Sequence, residues 1–281
     1  MARSYKKGVE YAVNEHLRVN PTHRVVILTD RASGDIANAI LRETEEVAAE
    51  THCFEMEEYS NGKQEKFPDK IMDLLRNDEK KIISFYLVHA MGCSEHSRYA
   101  LLRLGDPVAE LIDEEGGEHI KHASLPGITK QILREGCCVP AELLKRGTTA
   151  VYNKLRDART IEIYSPGGTE LELEIDPENI GWDKEDKMRY GVWENLPLGE
   201  VYTSPIDANG ILVVDCMVGG YEDKYGMGFL RRYPIKFTIK KGKVTKISCR
   251  RATRLISELE EDVLEQTRGE IIGEVGAPCG S

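Results

Sequence analysis

The chain has 281 residues, 38 Lys plus Arg against 48 Asp plus Glu, a formal net charge of −10, and 41% hydrophobic and 31% charged residues. That apolar share supports packed cores and excludes a disordered or low-complexity chain, while no stretch reaches the roughly 18 apolar residues that span a bilayer. The acidic balance argues against nucleic acid, whose phosphates require clustered Lys and Arg.

Read in chain order, residues 5–18 carry Val9, Ala12, Val13 and Leu17 on one helical face. Asn20-Pro21-Thr22 stops that helix, and Val25-Val26-Ile27-Leu28 is the continuous apolar run of a strand buried on both faces. A helix over 34–50, a strand over 51–55, a helix over 67–76 and a strand over 82–88 follow. The spacing then predicts a helix over 94–104 and a fourth strand over 119–123, closed by Leu125-Pro126-Gly127. Alternating strand and helix is the signature of an open α/β sheet. Beyond it, 128–136 and 140–147 read as short helices. Strands over 160–164 and 170–175 flank Ser165-Pro166-Gly167-Gly168, a turn signal. A strand over 210–218, a hairpin of 234–240 and 243–248 about Lys241-Gly242, and a charged helix over 253–267 complete the reading. The expectation is an α/β domain with an open, mainly parallel sheet over 1–135, then an α+β, antiparallel-rich domain over 136–281. The length fits, at about 150 residues per domain.

The N-terminus, Met-Ala-Arg-Ser-Tyr-Lys-Lys, leads into Gly8, Val9 and Glu10 rather than an apolar core. It does not read as a signal peptide, so a soluble, cytoplasmic protein is expected. Cys53, Cys93, Cys137, Cys138, Cys216, Cys249 and Cys279 are odd in number and form no CxxC pair. Reduced, mostly buried thiols are the expectation.

Every histidine (His16, His23, His52, His89, His96, His119 and His122) lies in the first half. Asp30 closes the first strand, where α/β sheets place ligands. The segment Asp30-Arg31-Ala32-Ser33-Gly34 has a single glycine, so a helix cap by Asp30 or Ser33 is favoured over a dinucleotide site. His89, Cys93 and His96 could share a helical face as ligands, but Gly92 interrupts it. His119 and His122 are three apart in a strand and point to opposite faces. The carboxylates of the second half carry more. Glu200 follows Gly199 in a segment held between prolines, and Glu274 sits in Gly273-Glu274-Val275-Gly276. Small neighbours let another group or an ion approach a carboxylate closely.

Taken together, these phrases resemble a known family. Asn195-Leu196-Pro197-Leu198-Gly199-Glu200-Val201-Tyr202-Thr203-Ser204-Pro205, with the later Gly210, resembles a hallmark segment of the thermophilic-type metallo-aminopeptidases, the aminopeptidase T and leucyl aminopeptidase family. Pro234-Ile235 through Lys241-Gly242-Lys243-Val244 resembles the following hairpin, and Gly273-Glu274-Val275-Gly276 the next glutamate motif. Upstream, Ala123-Ser124-Leu125-Pro126-Gly127-Ile128-Thr129 is similar to a segment of the family's first domain. The resemblance implies an α/β domain followed by an α+β domain that carries a two-metal site and mediates homodimerisation. By motif, Glu200 and Glu274 match two metal-ligand glutamates, Glu274 as the bridging one. Zinc, cobalt or manganese ions would then bind the free amino group of a peptide substrate and deliver a hydroxide to its carbonyl, releasing N-terminal residues.

The family's histidine and aspartate ligands follow the second glutamate motif, whereas here the sequence given ends at Ser281 and no histidine follows His122. The expectation is therefore one of three. The chain is a fragment of an active enzyme; or it is a catalytically incomplete homologue binding a ligand or protein; or its site is completed by His89, His96 or another subunit. The same broad fold is similar to the iron-dependent dihydroxypyridine ring-cleaving dioxygenases, a third functional class.

Overall fold

The computed structural model describes residues 4–59, 66–88, 106–218, 227–251, 253–265 and 269–279. The chain divides into two compact units: residues through Gly147 together with Glu185–Gly199, and Thr148–Lys184 together with Glu200–Cys279. The α/β and α+β architectures expected from the sequence are both present.

The first unit is built on a sheet of β1 (His23–Thr29), β2 (Glu50–Glu55), β3 (Lys81–Leu87), β4 (Ile120–Ser124) and β8 (Val192–Asn195). Its order is β2-β1-β3-β4-β8, and every neighbouring pair is parallel. β1 is buried throughout, as its unbroken apolar run requires. On one face Val25, Ile27, Ile83 and Phe85 pack against α1 (Tyr5–Tyr11), α2 (Gly34–Glu45) and α6 (Lys130–Glu135). On the other, Val26, Leu28, Ile82 and Tyr86 meet α4 (Asp69–Arg76) and α5 (Pro107–Glu115). A short α3 (Met56–Tyr59) follows β2. The first helix is shorter than expected and continues as a π turn over Ala12–His16. The helix expected over 94–104 lies outside the described residues.

α5 and β8 were not anticipated. Asp106 caps α5 through the Val108 and Ala109 amides, with Pro107 in the first turn and Gly116 after the last. β8 adds a fifth parallel strand on β4, from Lys121↔Val192 to Ser124↔Asn195, and Trp193 Nε1 donates to the Asp113 carboxylate on α5. That pairing returns Glu185–Gly199 to the first unit.

α7 (Ala141–Leu155) runs through Gly147 rather than ending there, because an internal glycine weakens a helix without stopping it. In the second unit, β5 (Thr160–Tyr164), β6 (Glu170–Glu174), β10 (Asp207–Val214), β11 (Ile235–Lys240) and β12 (Lys243–Ser248) form an antiparallel sheet, ordered β12-β11-β10-β6-β5. Leu171, Leu173, Phe237 and Ile239 fill its inner face with Leu230 from α8 (Met227–Arg232) and Leu255 and Leu259 from α9 (Thr253–Glu260). A smaller sheet joins β7 (Asp183–Lys184), β9 (Glu200–Thr203) and β13 (Val275–Pro278) in the order β13-β9-β7. No helix among the described residues is long and apolar enough to cross a membrane. The described cysteines carry free thiols; Cys137 and Cys138 are buried, but Cys53 and Cys216 are exposed, contrary to the expectation of mostly buried thiols.

A buried polar chain ties β3, β4 and α5 together. Ser84 Oγ and His122 Nδ1 share a hydrogen bond at 2.8 Å, His122 Nε2 donates to Asp106 Oδ2 at 2.8 Å, and Ser124 Oγ donates to the same oxygen at 2.9 Å. Burial pushes the Asp106 pKa up. The His122 imidazole, with hydrogen bonds from His122, Ser124 and the Ala109 amide, more than offsets this and holds it below the ordinary carboxylate range. A carboxylate lowered on folding stabilises the fold above its unfolded value of about 3.9, and the contribution is lost as pH falls through the folded value. Asp106→Ala, which strips the cap and strands two buried donors, should cost about 3 kcal/mol in urea unfolding at neutral pH. The gap to wild type should narrow below pH ~4; equal gaps at both pH values would show that the ionised carboxylate contributes nothing.

Candidate carboxylate site on the small sheet

The hallmark segment has a local physical explanation residue by residue. Leu196-Pro197 is a cis peptide, Leu198 is buried, and Gly199 adopts φ +122 with Leu144 Cδ1 only 3.0 Å from where a Cβ would stand. Both facts demand glycine before the strand. Glu200 then opens β9, where Val201 and Thr203 are buried and Glu200 and Tyr202 face the other way.

β13 pairs antiparallel with β9, with Gly276 opposite Tyr202 and Pro278 opposite Glu200. Residues opposite each other share a face, and strand alternation puts Glu274 on that face too, two residues before Gly276. The Glu200 side chain leans over Gly276 so closely that a Cβ there would collide with Oε1, Cδ and Cγ of Glu200. The small residue flagged in the sequence beside Glu274 thus accommodates the other carboxylate. Burial raises the Glu200 pKa, and the charge of Glu274 raises it further. The two glutamates, far apart in sequence, lie within electrostatic reach, and no basic side chain pairs with either among the described residues.

The other described candidates are engaged locally within the first unit. Asp30 Oδ1 accepts from the Ser33 amide at 2.8 Å, so Asp30 closes a turn after β1. Ser33 occupies the N-cap of α2 without a side-chain cap bond, its hydroxyl buried without a hydrogen-bond partner. His119 Nε2 donates to the Leu75 carbonyl oxygen at 2.8 Å, and His122 belongs to the Asp106 chain, so the two are engaged separately. His89, Cys93 and His96 lie outside the described residues. Register puts Asp183 opposite Tyr202 and so on the glutamates' face, a position that nothing in Trp182-Asp183-Lys184 signalled. Among the described residues, no group of three or more His, Cys, Asp and Glu could hold a metal ion. The glutamates are a pair with hard oxygen donors, which suit divalent cations but do not complete a coordination sphere.

Gly276→Ala should push the flexible end of Glu200 aside, away from Glu274, with little change in Tm. The Glu200 pKa, followed by carboxyl carbon NMR, should then fall toward its ordinary value, and Glu274→Gln should shift it in the same direction. A pKa unmoved by both variants would mean that the two carboxylates do not interact.

No family model matches the chain, and no curated protein matches it. Solved structures that share its fold include two whose names state different activities or none. Wild-type AmpT from Thermus thermophilus superposes with a TM-score of 0.66 at 14% identity, over 98% of this chain and 77% of that one. The 2,5-dihydroxypyridine dioxygenase from Pseudomonas putida KT2440 gives 0.62 at 16% identity, over 96% of this chain and 75% of that one. At such identities the likeness is one of fold.

Proposed function

We propose that this chain is a metal-dependent, aminopeptidase-like hydrolase in which Glu200 and Glu274 furnish two carboxylate ligands to a divalent cation. The observation that carries the reading is the Glu200 carboxylate, laid across Gly276 beside Glu274 with its pKa raised. Two acidic groups kept together without a basic partner repel each other until a proton or a cation joins them. The fold shared with AmpT supports the hydrolase half of the proposal. Of zinc, cobalt and manganese, a pair of carboxylates suits manganese best.

When bound, such an ion acts as a Lewis acid toward a peptide carbonyl and acidifies water. The chain's own part is to hold Glu200 on β9 and Glu274 immediately before β13, and to keep Glu200 ready to exchange a proton for a cation. Since the pair by itself is a half-site, the remaining ligands to a bound ion would have to come from water or substrate.

The fold shared with the dioxygenase favours a second reading, iron-dependent ring cleavage of a dihydroxypyridine on the same pair. The third is a binding module without bound metal. Titration calorimetry with manganese, cobalt and zinc, alongside hydrolysis of an aminoacyl anilide with its amine free or acetylated, tests the proposal. Glu200→Gln and Glu274→Gln should each weaken metal affinity by at least about tenfold. Affinity should also fall as pH drops below the raised Glu200 pKa, because the protonated acid is no ligand. Affinity indifferent to both variants defeats the proposal. Ring cleavage with iron supports the second reading, and no metal uptake the third.

A further inference from the structure

Like charges also meet on the large sheet, where exposed Glu162 on β5 stands opposite exposed Glu172 on β6, with Glu170 and Glu174 alongside, and water screens them. In the first unit they meet where water is excluded. His23 opens β1, Lys81 stands directly opposite it on β3, and Lys121 on β4 shares their face, in register with Ile83. His23 and Lys121 are buried, and Lys81 is exposed. Both ammonium groups lie over the Tyr190 ring, Lys121 at 4.7 Å and Lys81 at 5.0 Å from its centroid. Lys121 Nζ donates to the Leu17 carbonyl at 3.0 Å, and Arg18 adds a further positive charge within its reach. Among the described residues no acid pairs with His23 or with Lys121.

The hydrogen bonds fix the state of the imidazole. The Asn20 backbone amide donates to His23 Nδ1 at 3.2 Å, so that nitrogen carries no proton and the ring is neutral. Its proton sits on Nε2, which donates to Tyr190 Oη at 2.8 Å, with the Asn20 side-chain amide 3.3 Å from the same nitrogen. We propose that His23, Tyr190 and Lys121 form an acid-released latch. It holds the start of the Glu185–Gly199 return segment on the sheet while His23 is neutral, and lets go when His23 takes a proton. A proton on Nδ1 would face the Asn20 N–H and add a second buried cation beside Lys121, so the ring has to leave and give up Tyr190. Burial first, then the Lys121 charge, hold the His23 pKa below its ordinary value. Once released into water the ring titrates near that ordinary value of about 6.5, so the open state binds the proton more readily. The latch is therefore firm above about pH 6.5, and each unit below it favours opening by up to about tenfold until the folded value is reached. Tyr190 immediately precedes Gly191, whose amide donates to the Ile120 carbonyl at 2.8 Å and begins the pairing of β8 with β4. The latch needs no ion, so it stands independently of the metal reading, which concerns the smaller sheet.

Amide hydrogen exchange of the full chain without metal, followed by NMR from about pH 7 to about pH 5 and corrected for intrinsic exchange, tests it. Protection of the Gly191 amide should fall by up to about tenfold per unit below pH ~6.5. The Leu196 amide, bonded to the Ser124 carbonyl at the far end of β8, should lose less. His23→Gln cannot take the proton, so its Gly191 protection should be flat with pH; circular dichroism checks that it is folded. Lys121→Met removes the neighbouring charge, brings the closed-state pKa of His23 toward its ordinary value and should shrink the loss. Imidazole nitrogen NMR of the wild type, which needs no variant, should show the proton on Nε2 at neutral pH. The Nδ1–H tautomer, Gly191 protection indifferent to pH, equal losses at Gly191 and Leu196, or an undiminished loss in folded His23→Gln would each overturn the proposal.

Discussion

The pairing of β13 with β9 is the constraint on which the candidate site depends. An antiparallel ladder fixes which residues share a face, and here it brings Glu274 onto the face of Glu200 across a gap of more than seventy residues. The only way the Glu200 side chain can lie across that ladder is over a residue without a Cβ, and β13 supplies Gly276 there. The carboxylate becomes half-buried against backbone and held near a like charge. Its raised pKa is the thermodynamic record of both effects.

The first unit handles its buried acid in the opposite way. Asp106 is more deeply buried than Glu200, yet its carboxylate is held ionised because His122, Ser124 and two helix amides all donate to it. A carboxylate so surrounded has no capacity left for a ligand. It fixes α5 to β4 and, through Ser84, to β3. Serine, histidine and aspartate in sequence along one chain of bonds suggest a hydrolytic triad on chemical grounds. Ser84 and His122 are wholly buried, however, so no substrate meets the serine. The contrast separates a structural acid from a candidate ligand: one is saturated by donors, the other is left short of them.

Much of this was legible in the sequence. The unbroken apolar run Val25–Leu28 dictated a strand buried on both faces, and the alternation about Lys241-Gly242 dictated a hairpin. Asp106-Pro107 and Gly116 are the start and stop signals for α5. β8 was a different matter. Val192-Trp193-Glu194-Asn195 buries a glutamate and exposes a valine, so no periodicity marks it, and its pairing with β4 is decided by long-range geometry. At the site, the sequence marked Glu200, Glu274 and the small residues beside them. It could not show that the glycine near one glutamate makes room for the other, because that depends on a register set only by folding.

The second unit therefore leaves like charges unneutralised in two places, and the same electrostatic argument governs both. Folding alone would select against an acid beside an acid, or a strand of glutamates beside another glutamate, since each juxtaposition loses free energy that a mixed arrangement would keep. On the small sheet Glu200 is half-buried and within electrostatic reach of the exposed Glu274, so a compact cation of double charge is the matching countercharge. On the large sheet the acids are spread along two strands and exposed. Scale and burial, more than charge itself, distinguish the two arrangements.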